Sequence, residues 1–183
     1  MIIIAKEYKN TIILTALCLF HIVFNFIWLS NDFSFSGYPH YQYQWGLRVH
    51  SLLKAGEIHI YPLYFLITAL ISYVFGPSLF LFNATSTIFL IILIIFLYLL
   101  CKELWDGKVG IWAATVTSFF PLIFGVSRWY DFHMALLAMT VVTYYLLVKA
   151  YRRFTYLNST FLLMAMLIGG LMGRHTNTET IQF

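Results

Sequence analysis

The chain has 183 residues, of which 61% are hydrophobic, only 10% charged and 20% aromatic. A soluble domain carries about 25% charged residues and about 45–50% apolar ones, so an ordinary water-soluble enzyme, a disordered tail and a nucleic-acid binder are excluded. The net charge of +4 is spread over basic residues that sit between apolar runs, where they report orientation rather than a polyanion partner. The two cysteines, Cys18 and Cys101, give neither a disulfide framework nor a metal-ligand spacing.

A spanning helix needs about 20 mostly apolar residues. Residues 11–30 form the first such run, behind a polar start with Lys6 and Lys9. No small-residue cleavage site closes it, so it reads as a retained anchor and not a signal peptide. Residues 31–61 are the one long polar stretch. Within it Tyr41, Trp45, Val49, Leu52 and Leu53 recur at helical spacing opposite Gln44, Arg48 and Ser51, which predicts an amphipathic helix suited to the headgroup plane. Residues 62–75 are apolar but short, the length of a re-entrant or partial element. Further spans are expected over 79–100, 109–126, 132–148 and 159–173. The expected fold is all-α: a polytopic transmembrane bundle of about five spans in a single membrane domain.

Charge places the short segment. If 62–75 does not cross and the N-terminus is cytoplasmic, the inner loops hold Lys6, Lys9, Lys102, Lys108, Lys149, Arg152 and Arg153. The outer ones hold Arg48, Lys54, Arg128 and Arg174. A crossing would leave only Lys6, Lys9, Arg128 and Arg174 inside, against the excess of Lys and Arg that inner loops carry. The non-crossing topology brings Asp32, His40, Arg48, His50, Glu57, His59, Arg128, Asp131, His133, Arg174 and His175 to one outer face. Polar groups that converge at a membrane boundary are candidate functional groups. Plainer readings stand beside these: Asp32 is a solvated residue at a helix end, Arg128 snorkels to headgroups, Asp131 pairs with Arg128, and His40, His50 and His59 are interfacial; His21 and Asn25, one turn apart inside the first span, make a helix–helix hydrogen bond.

The order of these features resembles the N-terminal half of the GT-C integral-membrane glycosyltransferases, and more narrowly glycosyltransferase family 39, the protein O-mannosyltransferases and aminoarabinose transferases. The residues that carry it are Asp32, the amphipathic 41–53 stretch, Tyr61-Pro62-Leu63-Tyr64, Phe75-Gly76-Pro77-Ser78, the 99–107 stretch around Lys102, Pro121, Ser127-Arg128 with Asp131, and Gly170-Leu171-Met172-Gly173-Arg174. Two positions depart from the pattern: Leu63 replaces the second proline of a pair, and the acidic residue expected six after Ser127 is His133, with Asp131 two residues early. Family members are several hundred residues long, so the resemblance implies that the chain would be the N-terminal part of a longer module.

The resemblance implies sugar transfer from a polyprenyl-phosphate donor to a lipid, glycan or protein hydroxyl. It would take place at the outer face of a bacterial inner membrane, with no nucleic acid involved. Asp32 would be the catalytic base. Asp131 and His133 would supply a second acidic or polar group, and Arg128 and Arg174 would hold the donor phosphate. His40, Tyr61, Pro62 and Tyr64 would form the substrate loop. The residues specify no metal set, and a divalent cation stays open. The competing expectation is a non-catalytic membrane fragment or assembly subunit of the same fold.

Overall fold

The structure is a computed structural model and describes residues 2–29, 38–56 and 63–172. Every regular element among them is helical: α1 (Ile2–Trp28), α2 (Tyr38–Lys54), α3 (Leu63–Phe75), α4 (Leu79–Leu104), α5 (Gly107–Phe119), α6 (Pro121–Val126), α7 (Phe132–Arg152) and α8 (Tyr156–Met172). Three of them are long and apolar enough to cross a membrane: Tyr8–Trp28, Leu79–Leu104 and Phe132–Arg152. The protein is therefore an integral membrane protein. Exposed apolar side chains such as Val23, Phe26, Leu163 and Leu167 cover α1 and α8, as expected of faces turned to lipid.

Local chemistry sets the helix ends. Gly76, at φ +81°, takes the left-handed conformation that stops α3. Ser78 then caps α4 by accepting the Leu81 amide at 3.2 Å. Asp106 caps α5, accepting from Lys108 and Val109 at 2.7 and 2.9 Å. At the far end of α7, Lys149 and Arg152 complement the helix dipole.

The run expected as one span over 109–126 is two helices. Proline has no N–H to give and its ring clashes with the preceding turn. Pro121 therefore ends α5 and opens α6, with Phe120 extended between them (φ −59°, ψ 126°).

The direction of each crossing follows from contacts between helix ends. The Asn83 amide at the start of α4 donates to the Leu29 carbonyl just past α1 (3.0 Å). Ser86 meets Asp131 at the start of α7. These three ends share one face of the bundle, the site end. At the opposite end Arg152 lies 3.5 Å from Glu103, and the Asn10 amide packs against Gly107. Since α1 finishes and α4 begins at the same end, the intervening α2 and α3 make no net crossing. That is the topology the basic residues demand.

The amphipathic helix is present as α2, but its buried face meets protein. Gln42, Gly46 and Val49 are buried while Gln44, Arg48 and Ser51 are exposed. Gly46 fits because it has no Cβ: one placed there would lie 2.4 Å from a Phe82 ring carbon and 3.0 Å from Tyr130. The core beneath α2 is aromatic. Tyr64 stacks on Tyr130 with centroids 4.9 Å apart, and Phe82 meets Tyr130 edge-on at 4.9 Å.

Candidate active site

The site end is organised by hydrogen bonds that join distant parts of the chain. Asp131 opens α7 as its N-cap, and its Oδ1 accepts the His133 amide at 2.8 Å. The same oxygen lies 2.8 Å from His133 Nδ1. The carboxylate is buried and the imidazole about half exposed, with side-chain exposures of 9% and 54%. This pair, with the apolar side chains of Leu122, Ile123, Val126, Met134 and Leu137, lines an open pocket of about 390 Å³ between α6 and the first turns of α7.

Ser86 anchors the cap from α4. Its Oγ accepts the Asp131 amide at 3.0 Å and is hydrogen-bonded to the Tyr64 hydroxyl at 3.0 Å. The next amide, that of Phe132, donates to Gln42 Oε1 at 2.9 Å. Tyr130 is bonded to Thr68 of α3. Burial pushes the Tyr130 phenol well above its usual pKa, so it stays protonated. Three helices therefore fix the backbone on either side of Asp131.

Arg128 does not form the ion pair with Asp131 that their spacing allows. Its Nε donates to the Phe124 carbonyl at 3.2 Å, and its guanidinium carbon lies 4.7 Å from the Phe124 centroid. Phe24 and Trp28 of α1 complete the aromatic surround at 5.8 and 6.0 Å. Partial burial lowers its pKa from the ordinary value, though a guanidinium remains charged at any physiological pH. With Nε engaged on the backbone, the two Nη groups are the remaining donors of the guanidinium. Paired N–H donors of this kind suit phosphate oxygens.

Of the residues singled out from sequence, the structure brings Asp131 and His133 together and holds Arg128 at the same end. Tyr64, expected in the substrate loop, is instead fully buried in α3, and its hydroxyl bonds to Ser86 and to the backbone of Asp131. His40 lies in the first turn of α2, while Asp32, Tyr61, Pro62 and Arg174 fall outside the described residues. His50 bridges α2 to α3 through Ser72 Oγ at 2.7 Å. Among the described residues no three His, Cys, Asp or Glu side chains gather as a metal site. Sequence reasoning passed over Ser86 and Gln42. The polar run Thr85-Ser86-Thr87 inside an apolar span was one available signal, and Gln42 shares a helical face with Trp45, Gly46 and Val49.

One end of this multi-helix membrane bundle thus carries a helix-capping carboxylate, an imidazole beside it and an arginine held against aromatic rings. The chain belongs to the dolichyl-phosphate-mannose-protein mannosyltransferase family, whose model matches residues 59–178. That stretch contains Tyr64, Ser86, Arg128, Asp131 and His133, while Asp32 lies before it. Neither the curated proteins nor the solved structures include a match.

Proposed function

We propose that this protein transfers a sugar, mannose by the name of its family, from a polyprenyl-phosphate donor to a hydroxyl of a lipid, glycan or protein. The site end would face the outside of the membrane, with the N-terminus cytoplasmic. The observation that carries this reading is the pocket beside α7: apolar walls beside a carboxylate–imidazole pair, in a chain of this family. An isoprenoid tail needs apolar walls and a sugar phosphate needs polar groups at their edge. The α6–α7 pocket supplies both, so we place the first units of the donor lipid there.

In the proposed step Asp32 takes the proton of the acceptor hydroxyl. The acceptor oxygen bonds to the sugar's anomeric carbon as the bond from that carbon to the phosphate oxygen breaks, and polyprenyl phosphate leaves. Arg128 and Arg174 stabilise the charge that develops on the phosphate. Asp131 and His133 orient the sugar or the leaving group at the pocket edge. A competing reading, a non-catalytic subunit of the same fold, draws on the part Asp131 plays as a helix cap.

The placement of the donor lipid is tested by labelling. A photoreactive polyprenyl phosphate added to membranes holding the protein should label the 122–137 stretch, and excess natural donor should suppress the label. Labelling elsewhere, or labelling that donor does not compete, would remove the lipid from this pocket.

A further inference from the structure

His21 and Asn25 lie inside the span Tyr8–Trp28 and are both fully buried. Their surroundings allow a complete hydrogen-bond accounting. The Asn25 amide nitrogen is 3.1 Å from Thr87 Oγ1 and 3.3 Å from Ser127 Oγ. Both hydroxyl protons are already committed: Thr87 donates to the Ser127 carbonyl at 2.9 Å and Ser127 to the Phe124 carbonyl at 3.0 Å. The hydroxyls can therefore only accept from Asn25, which fixes the amide with Nδ2 toward them and Oδ1 away. Flipping the amide would face an acceptor with two oxygens that have no proton left to give.

Asn25 Oδ1 consequently has no partner, and neither ring nitrogen of His21 has one. His21 is walled by aromatic rings: Phe20 at 5.3 Å, and Phe119 and Phe124, on either side of the α5–α6 break, at 5.1 and 5.8 Å. A buried polar atom without a partner is costly, and more so at membrane depth, where bulk water is not at hand. A neutral imidazole has one nitrogen lone pair and one N–H. The site thus holds two acceptors, Asn25 Oδ1 and the imidazole lone pair, on residues one helical turn apart on α1. A water molecule carries two donors.

We propose that the bundle binds one structural water between His21 and Asn25, donating to Asn25 Oδ1 and to the unprotonated nitrogen of His21, while the imidazole N–H points to the Phe rings. The water completes the hydrogen bonding of an Asn25 amide already oriented by Thr87 and Ser127, and Ser127 ties it to the backbone that leads to Arg128. This inference does not depend on the enzymatic reading.

The test is water-edited solid-state NMR of the whole protein in lipid bilayers, with 15N-labelled histidine and His21→Phe to assign the signal. The expected result is transfer of water magnetisation to the His21 nitrogens, falling several-fold in Asn25→Leu. A His21 signal that receives none would overturn the proposal. So would transfer that Asn25→Leu leaves unchanged. Thermal unfolding gives a second arm that needs no assignment. A dry site makes His21→Phe stabilising, because two unpaired polar atoms are removed. A hydrated one makes it destabilising, because Asn25 Oδ1 loses the water.

Discussion

Asp131 has two jobs, and substitutions separate them. It caps α7 and it pairs with His133 through the same oxygen. Asparagine caps a helix about as well as aspartate does, whereas alanine costs about 0.5–2 kcal/mol. Asp131→Asn should therefore keep the thermal midpoint close to the parent and lose the charge facing His133, while Asp131→Ala should lower the midpoint as well. Ser86→Ala removes the bonds of Ser86 to the Asp131 amide and to the Tyr64 hydroxyl, at about 0.5–1.5 kcal/mol for each hydrogen bond lost, readable as a lower unfolding temperature in detergent. Asp32→Asn should abolish transfer without lowering the amount of protein in the membrane. Retained transfer would take the role of base away from Asp32. The sequence pointed to Asp131 and His133 through the outer-face topology and the family resemblance, and their contact with each other needs only local spacing. It could not point to Ser86 or Gln42, whose partners lie 45 and 90 residues away and meet only when the helices pack.

Among the elements, α2 tells most about how far patterning reaches. Its apolar and polar faces were legible from periodicity, but what the apolar face meets was not. A moment toward lipid and a moment toward a protein core look the same in one sequence. Gly46 distinguishes them, because only a closely packed neighbour requires a missing Cβ. Gly46→Ala should push α2 off Phe82 and Tyr130, destabilising the site end by about 1–3 kcal/mol as overpacking does. If α2 rested on headgroups the substitution would be neutral or mildly stabilising, and thermal unfolding decides between them. The α5–α6 break is the reverse case. Pro121 was in plain view within the apolar run of 109–126, yet hydropathy alone merges the two helices because it is blind to backbone hydrogen bonds.

Across the whole molecule, topology was the most legible property. The excess of Lys and Arg needs α2 and α3 to return to the side they left, and the Asn83–Leu29 and Ser86–Asp131 bonds require the same. The account places Ser78 outside and Asn158 inside. In a chain with Cys18 and Cys101 replaced by serine, Ser78→Cys should react with an impermeant thiol reagent applied to intact cells, and Asn158→Cys should not. The reverse pattern would put the proposed site in the cytoplasm. What composition and spacing could not supply was the pocket, because its walls come from α6 and α7 on either side of the Arg128 junction and form only with Pro121 turning the chain.

The measurement that bears most directly on the central claim is sugar transfer itself. Membranes containing the protein would be given radiolabelled polyprenyl-phosphate mannose, and product would be followed for the parent chain, Asp131→Asn and Arg128→Gln. The account predicts labelled product from the parent and a large loss in both variants at unchanged protein levels. Product formed equally well by all three would contradict the site described here, and no product from the parent would favour the non-catalytic reading.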